Sequence, residues 1–133
     1  MAKTSVLVVA AVVEHEGHYL ITQRNESAVF PMLWEFPGGR VEEGESETAA
    51  LIREVSGRIG VEVSVTQRLA DHFHEYDDYE VHLSLFACSL PPGAIPRAIG
   101  VKDTRWVRSD EMDDYEFPPA DQTSMAKLLN LDH

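Results

Sequence analysis

The chain carries one cysteine, Cys88, in 133 residues. No intrachain disulfide can staple it, and a thiol inside an apolar run reads as a buried packing group rather than a reactive one. Positive charge is also scarce: 11 Lys plus Arg stand against 23 Asp plus Glu, a formal charge of −12. Such a field repels nucleic-acid backbones and acidic membrane surfaces, and no basic stripe offsets it, so a polymer-binding role is excluded. No apolar run approaches the roughly 18 residues of a spanning helix. Met1 to Thr4 lacks a signal-peptide layout, which with the lone thiol points to the cytoplasm. Linkers, repeats and low-complexity tracts are missing too. Residues 1–133 are therefore expected to form one domain, and a hydrophobic content of 44% is enough to bury a core. Nothing in the composition fixes an oligomeric state.

What the chain does have is a succession of short patterned segments. Ser5 to Val13 and Tyr19 to Arg24 read as strands joined at a Glu16-Gly17 turn. Asn25 to Leu33 shows no period and reads as a loop, and Trp34 to Phe36 as a short strand before Pro37-Gly38-Gly39. Ser46 is a plausible N-cap with Glu47 in the first turn of a helix that ends near Gly57 to Gly60. Val61 to Leu69, Tyr79 to Cys88 and Thr104 to Val107 alternate as strands, Pro91-Pro92-Gly93 turns the chain, and a terminal helix is expected from about Ala120 to Leu129. Strands outnumber helices, with helices between them, which indicates an α+β fold, an α/β/α sandwich.

The most specific stretch runs from Gly39 to Val61, GRVEEGESETAALIREVSGRIGV. It resembles the Nudix hydrolase signature G-x5-E-x7-R-E-U-x-E-E-x-G-U, where U is a bulky aliphatic. Gly39, Glu45, Arg53, Glu54, Val55, Gly60 and Val61 match it in register. WEFPGGRVEEGE (Trp34 to Glu45), LITQR (Leu20 to Arg24) and FPPAD (Phe117 to Asp121) are similar to the branch of MutT nucleotide-pool sanitisers and bacterial CTP pyrophosphohydrolases. The resemblance implies a Nudix fold with a mixed sheet. It also implies hydrolysis of a nucleoside triphosphate to monophosphate and pyrophosphate, with Mg²⁺ or Mn²⁺ neutralising phosphate oxygens and activating water. By the same resemblance a carbonyl of Gly38 and the carboxylate of Glu54 would ligate metal, Glu54 could alternatively serve as base, and Glu45 with Arg53 would form an ion pair orienting the loop over the helix.

The match then breaks. Acids at i, i+3 and i+4 on a helix share one face and could share an ion cluster. Three and four residues past Glu54 stand Gly57 and Arg58. A further ligand that the resemblance would place about six residues before Trp106 falls on Gly100, in the acid-free segment Arg97 to Val101. Asp103, the nearest carboxylate, should already be entering the strand. A retired metal centre and weak activity are the expectation, the alternative being a catalytically silent nucleotide-binding or interaction module. Glu47, two turns before Glu54, could point the same way in compensation. Arg58 reads first as a solvated helix-end arginine, but a guanidinium could also grip phosphate, which makes it a substrate-binding candidate. Against that stand Glu42, Glu43, Glu45 and Glu54, whose carboxylates should outweigh Arg40, Arg53 and Arg58 where a triphosphate would enter.

At the nucleobase end the resemblance places Arg24, Phe36 and Asp121 in contact with the base. Phe36 would stack, unless it is plain core. Asp121 would accept hydrogen bonds from the base edge, unless it caps the last helix. His74 and Tyr76 could line the mouth of that cleft. His72, His74 and His82 show no zinc-ligand spacing.

Overall fold

The computed structural model describes residues 4–119. Its strands are β1 (Thr4–His15), β2 (His18–Gln23), β3 (Trp34–Glu35), β4 (Gly38–Arg40), β5 (Ser64–Glu75), β6 (Tyr79–Ser89) and β7 (Asp103–Arg108), with helix α1 (Glu47–Ile59) between β4 and β5. A 3₁₀ turn, Ser109–Asp114, follows β7. The strands form one seven-stranded sheet ordered β3-β2-β1-β6-β5, with β4 also on β1 and β7 on β2. The sheet is mixed: β1 and β6 run parallel from Thr4↔Tyr79 to Val13↔Cys88, while the other pairs are antiparallel. Among the described residues no helix is long and apolar enough to cross a membrane.

β1 organises both layers of the core because it is apolar on both faces. Val9, Ala11 and Val13 point to α1, where Ala50, Leu51, Val55 and Ile59 cover them. Ala10 and Val12 point the other way and pack with Tyr19, Ile21, Phe36, Leu85, Met112 and Phe117. A strand buried on both sides reads as a continuous apolar run. Cys88 lies in the first of these clusters, and burial pushes its thiol up to about 12, as suits a packing group.

α1 begins where expected. The Ser46 hydroxyl accepts from the Ala49 amide at 3.1 Å, and Glu47 in the first turn complements the helix dipole. Gly60, at φ 71°, closes it by donating its amide to Ser56 O at 2.9 Å. The last carbonyls are satisfied by the segment before β7: Arg97 N donates to Ile59 O at 2.9 Å and Gly100 N to Arg58 O at 2.9 Å.

Three expectations need correction. β5 does not run from Val61 to Leu69 but from Ser64 to Glu75, because Val61 and Val63 are drawn into the core below α1 before the chain can pair. β4 was read as turn; Gly38 to Arg40 is a strand because its backbone pairs with Val8 to Ala10. The 3₁₀ turn was not anticipated. The expected helix from Ala120 to Leu129, and Asp121 with it, lie outside the described residues.

Candidate active site

The signature loop is closed by a fork of hydrogen bonds. Arg53 Nε donates to Glu45 Oε2 at 2.7 Å and Nη2 to Glu45 Oε1 at 2.9 Å. Nη2 also donates to the Arg40 carbonyl at 3.0 Å, and the Glu42 amide to Glu45 Oε1 at 3.0 Å. Such a bidentate pair fixes geometry as well as charge. The Arg53 hydrogen bonds, then the Glu42 amide, hold the Glu45 carboxyl down to about 2, while Glu45 and then Glu54 raise Arg53. The expected Glu45–Arg53 pair is therefore present, joining loop to helix.

Glu54 lies over Gly39 of β4. A Cβ on Gly39 would sit 2.2 Å from Glu54 Oε2, so only glycine allows this approach. Both carboxylate oxygens are engaged by cations: Oε1 accepts from Arg53 Nη1 at 2.8 Å and Oε2 from Arg58 Nε at 3.3 Å. Gly38 is pressed against β1, where a Cβ would meet the Val9 carbonyl at 2.0 Å.

Beside this cluster opens a cavity of about 470 Å³. Val6, Val8, Val81 and Leu83 give it an apolar floor, and Phe30, Phe36, Tyr76 and Tyr79 bring aromatic rings to it. Phe36 borders the cavity and is buried against Phe117, ring centroids 6.1 Å apart. Tyr76 stacks on Tyr79 at 5.0 Å, with Phe30 at 5.6 Å and His74 edge-on at 4.5 Å. Phe30 holds φ at 54°, a conformation that costs an aromatic residue about 1–3 kcal/mol and that clusters at functional sites.

The charged part of the wall reverses the expected balance. Among the described residues it holds three arginines, Arg24, Arg40 and Arg58, and one carboxylate, Glu35. Arg24 Nη1 donates to Glu35 Oε1 at 2.8 Å, and its Nε to Val29 O at 2.6 Å. Burial raises the Glu35 carboxyl above its ordinary value despite the opposing fields of Arg24 and Arg58. So Arg58 is not a solvated helix-end residue; it is part-buried and forms cavity wall. Of the glutamates expected to crowd the entrance, Glu45 is bonded to Arg53, and Glu54 to both Arg53 and Arg58. Glu35, the cavity's own acid, was not singled out from the sequence. Its signal was an acid between two aromatics on a strand whose hairpin partner leads into Arg24.

A divalent ion needs several anionic oxygens converging on one point. Here Gly57 supplies none, Arg58 supplies a cation, and Glu47 is turned to Arg68 on β5 rather than toward Glu54. Gly100 offers only backbone, and Asp103 is the first residue of β7, bonded to the Thr104 amide and Arg105. Among the described residues no three His, Cys, Asp or Glu side chains could hold a metal, the His72, His74 and His82 stretch included. The donor set does not fit the ion.

Comparison with known proteins places this geometry. Residues 8–127 match the model of the NUDIX domain. The chain is 34% identical over 114 residues to the CTP pyrophosphohydrolase of Escherichia coli, covering 86% of this chain and 84% of that one. It is 32% identical over 136 residues to the 8-oxo-dGTP diphosphatase of Haemophilus influenzae, covering 100% and 98%. Among solved structures, that of the E. coli ORF135 protein superposes with a TM-score of 0.82 at 30% identity, covering 98% of this chain and 92% of that one.

Proposed function

The chain belongs to the NUDIX domain family, and from that premise we propose that it is a nucleotide pyrophosphohydrolase whose metal centre has been largely dismantled. The reaction class is that of its relatives, named for CTP and 8-oxo-dGTP: water opens a phosphoanhydride of a nucleoside triphosphate and releases monophosphate and pyrophosphate. Its partner is thus a small nucleotide. The lone buried thiol and the acidic surface suit a cytoplasmic housekeeping role.

One observation carries the reading: Glu45, Arg53 and Glu54 stand at the family's positions, locked together over Gly39 beside a nucleotide-sized cavity. Family members generally use a divalent metal ion, and the donor set here does not support one. The remaining roles fall to this chain's own side chains. Glu45 orients Arg53, and Arg53 holds Glu54 against Gly39 of β4. Arg24, Phe36 and Arg58 border the space a nucleotide would fill, and we assign Asp121 to the base edge from the family pattern alone. Both Glu54 oxygens are already bonded to guanidiniums, Oε1 to Arg53 and Oε2 to Arg58. Losing one preorganised electrostatic partner costs about 10²–10³ in rate, and at least two are missing. Weak turnover is the expectation. A silent nucleotide-binding module is the second reading, favoured by the arginine-rich wall.

The test is pyrophosphate release from a panel of (d)NTPs with Mg²⁺ and Mn²⁺, comparing the chain with Gly57→Glu plus Arg58→Glu. The site of the first substitution is open: nothing lies within 4 Å of a Cβ there. A large gain in the double variant supports a dismantled centre. Robust turnover by the unchanged protein, abolished by Glu54→Gln, overturns it.

A further inference from the structure

We infer that the cleft holds a nucleoside monophosphate directly on Arg58 and Arg40, with no divalent ion between protein and phosphate. This rests on the nucleotide reading above and goes beyond it by naming the ligand and the groups that bind it.

Of the three cavity arginines, Arg24 is committed to Glu35 and to the Val29 carbonyl. Arg58 uses only Nε, toward Glu54 at 3.3 Å, and among the described residues its two terminal nitrogens make no hydrogen bond. Its part-buried guanidinium borders the cavity at the helix position where the signature has an acid. Arg40 gives its backbone carbonyl to Arg53, and among the described residues no carboxylate lies within 4.0 Å of its exposed side chain on the rim. The terminal nitrogens of Arg58 and the side chain of Arg40 thus border one space, and guanidiniums grip phosphate oxygens in pairs without metal.

Charge then selects the chain length of the ligand. A phosphomonoester carries about −1.5 to −2 at neutral pH, which two guanidiniums balance. A triphosphate would bring further anionic groups that, among the described residues, no other free cation on the wall meets, in a chain whose formal charge is already −12. The volume of about 470 Å³ suits a small ligand, and Phe36, Tyr76 and Tyr79 offer faces for a base.

The experiment is thermal denaturation of the purified chain in excess EDTA with CMP, GMP, CTP, GTP or inorganic phosphate. A nucleoside monophosphate should raise Tm more than its triphosphate or phosphate alone. Arg58→Gln and Arg40→Gln should each weaken the apparent affinity by on the order of tenfold, the loss of one charge-assisted contact. Arg40 is exposed, so that variant tests the idea even if Arg58→Gln folds poorly. A shift that needs Mg²⁺, is largest for triphosphate or for inorganic phosphate, or survives both substitutions overturns the inference. Its failure is separable from that of the pyrophosphohydrolase reading: turnover with Mn²⁺ but no binding in EDTA retains the latter and sinks the former.

Discussion

Gly100 packs its backbone onto Gly57: a Cβ on Gly100 would stand 2.9 Å from the Gly57 carbonyl oxygen and 3.2 Å from Arg58 Cα. The two places where the family pattern expects acids and this chain has none are therefore in contact, 43 residues apart in sequence. The close approach lets Gly100 N reach Arg58 O at 2.9 Å and cap the helix. A side chain at position 100 would have to lift the loop away.

The two glycines should respond oppositely to alanine. Gly100→Ala meets backbone, which cannot rotate aside, and should destabilise by about 1–3 kcal/mol. Gly57→Ala meets nothing within 4 Å and removes a glycine from the last turn of α1, so it should stabilise by up to about 1 kcal/mol. Urea denaturation midpoints measure both; equal effects would disprove the packing argument.

Glu45 sets an acid limit. Its carboxyl is held at about 2 in the fold against an ordinary 4.5, so the unfolded chain takes up the proton first. The stabilisation is whole above about pH 4.5 and is lost as pH falls toward 2. The Tm gap between the chain and Glu45→Gln should be constant near neutrality, narrow below pH 4.5 and close near pH 2. A gap independent of pH would mean that the Arg53 fork contributes nothing electrostatic.

How far the sequence reached depended on the range of the interactions involved. α1 was legible from Ser46 to Gly60 because its cap, dipole and apolar face are local. β4 was not, since a Gly-Gly-Arg segment has no alternation and becomes a strand only through β1. β5 was read short because Asp71, His72 and His74 hide the period beyond Leu69. In the site, the Glu45–Arg53 pair was legible only through the family resemblance, which matches both residues in register. The cavity's surplus of guanidinium was not, because it depends on which acids are already paired. The Gly57–Gly100 contact could not be read at all, as neither residue carries a side chain to suggest it.

The β1–β2 hairpin has room for improvement. His15 pairs with His18 across a two-residue loop, with Glu16 at φ 51° and Gly17 at φ 79°. Two positive φ values in such a loop favour Asn-Gly over Glu-Gly. Glu16→Asn should stabilise by about 0.5–1 kcal/mol, read as a rise in Tm of a few degrees with no change in nucleotide binding. A fall in Tm would show that the exposed Glu16–His15 contact, 3.8 Å long, outweighs the turn.

Arg24 should matter most through the charge it covers. Burial raises the Glu35 carboxyl, and Arg24 is the strongest influence pulling it back. With Arg24→Met the carboxyl should rise further, since an unpaired charge in the cavity wall is costly. Partial exposure of the pair limits the loss to about 1–3 kcal/mol. A carboxyl raised in the fold favours the folded state when protonated, so Arg24→Met should recover stability as pH falls toward 4.5, the ordinary carboxyl value. Arg24→Met plus Glu35→Gln should be milder than the single change at pH 7 and show little of that pH dependence. Denaturant midpoints for the three proteins at pH 5 and 8 decide it. If the double variant loses as much as the single one at both pH values, Arg24 acts by packing its stem along the cavity and not by neutralising Glu35.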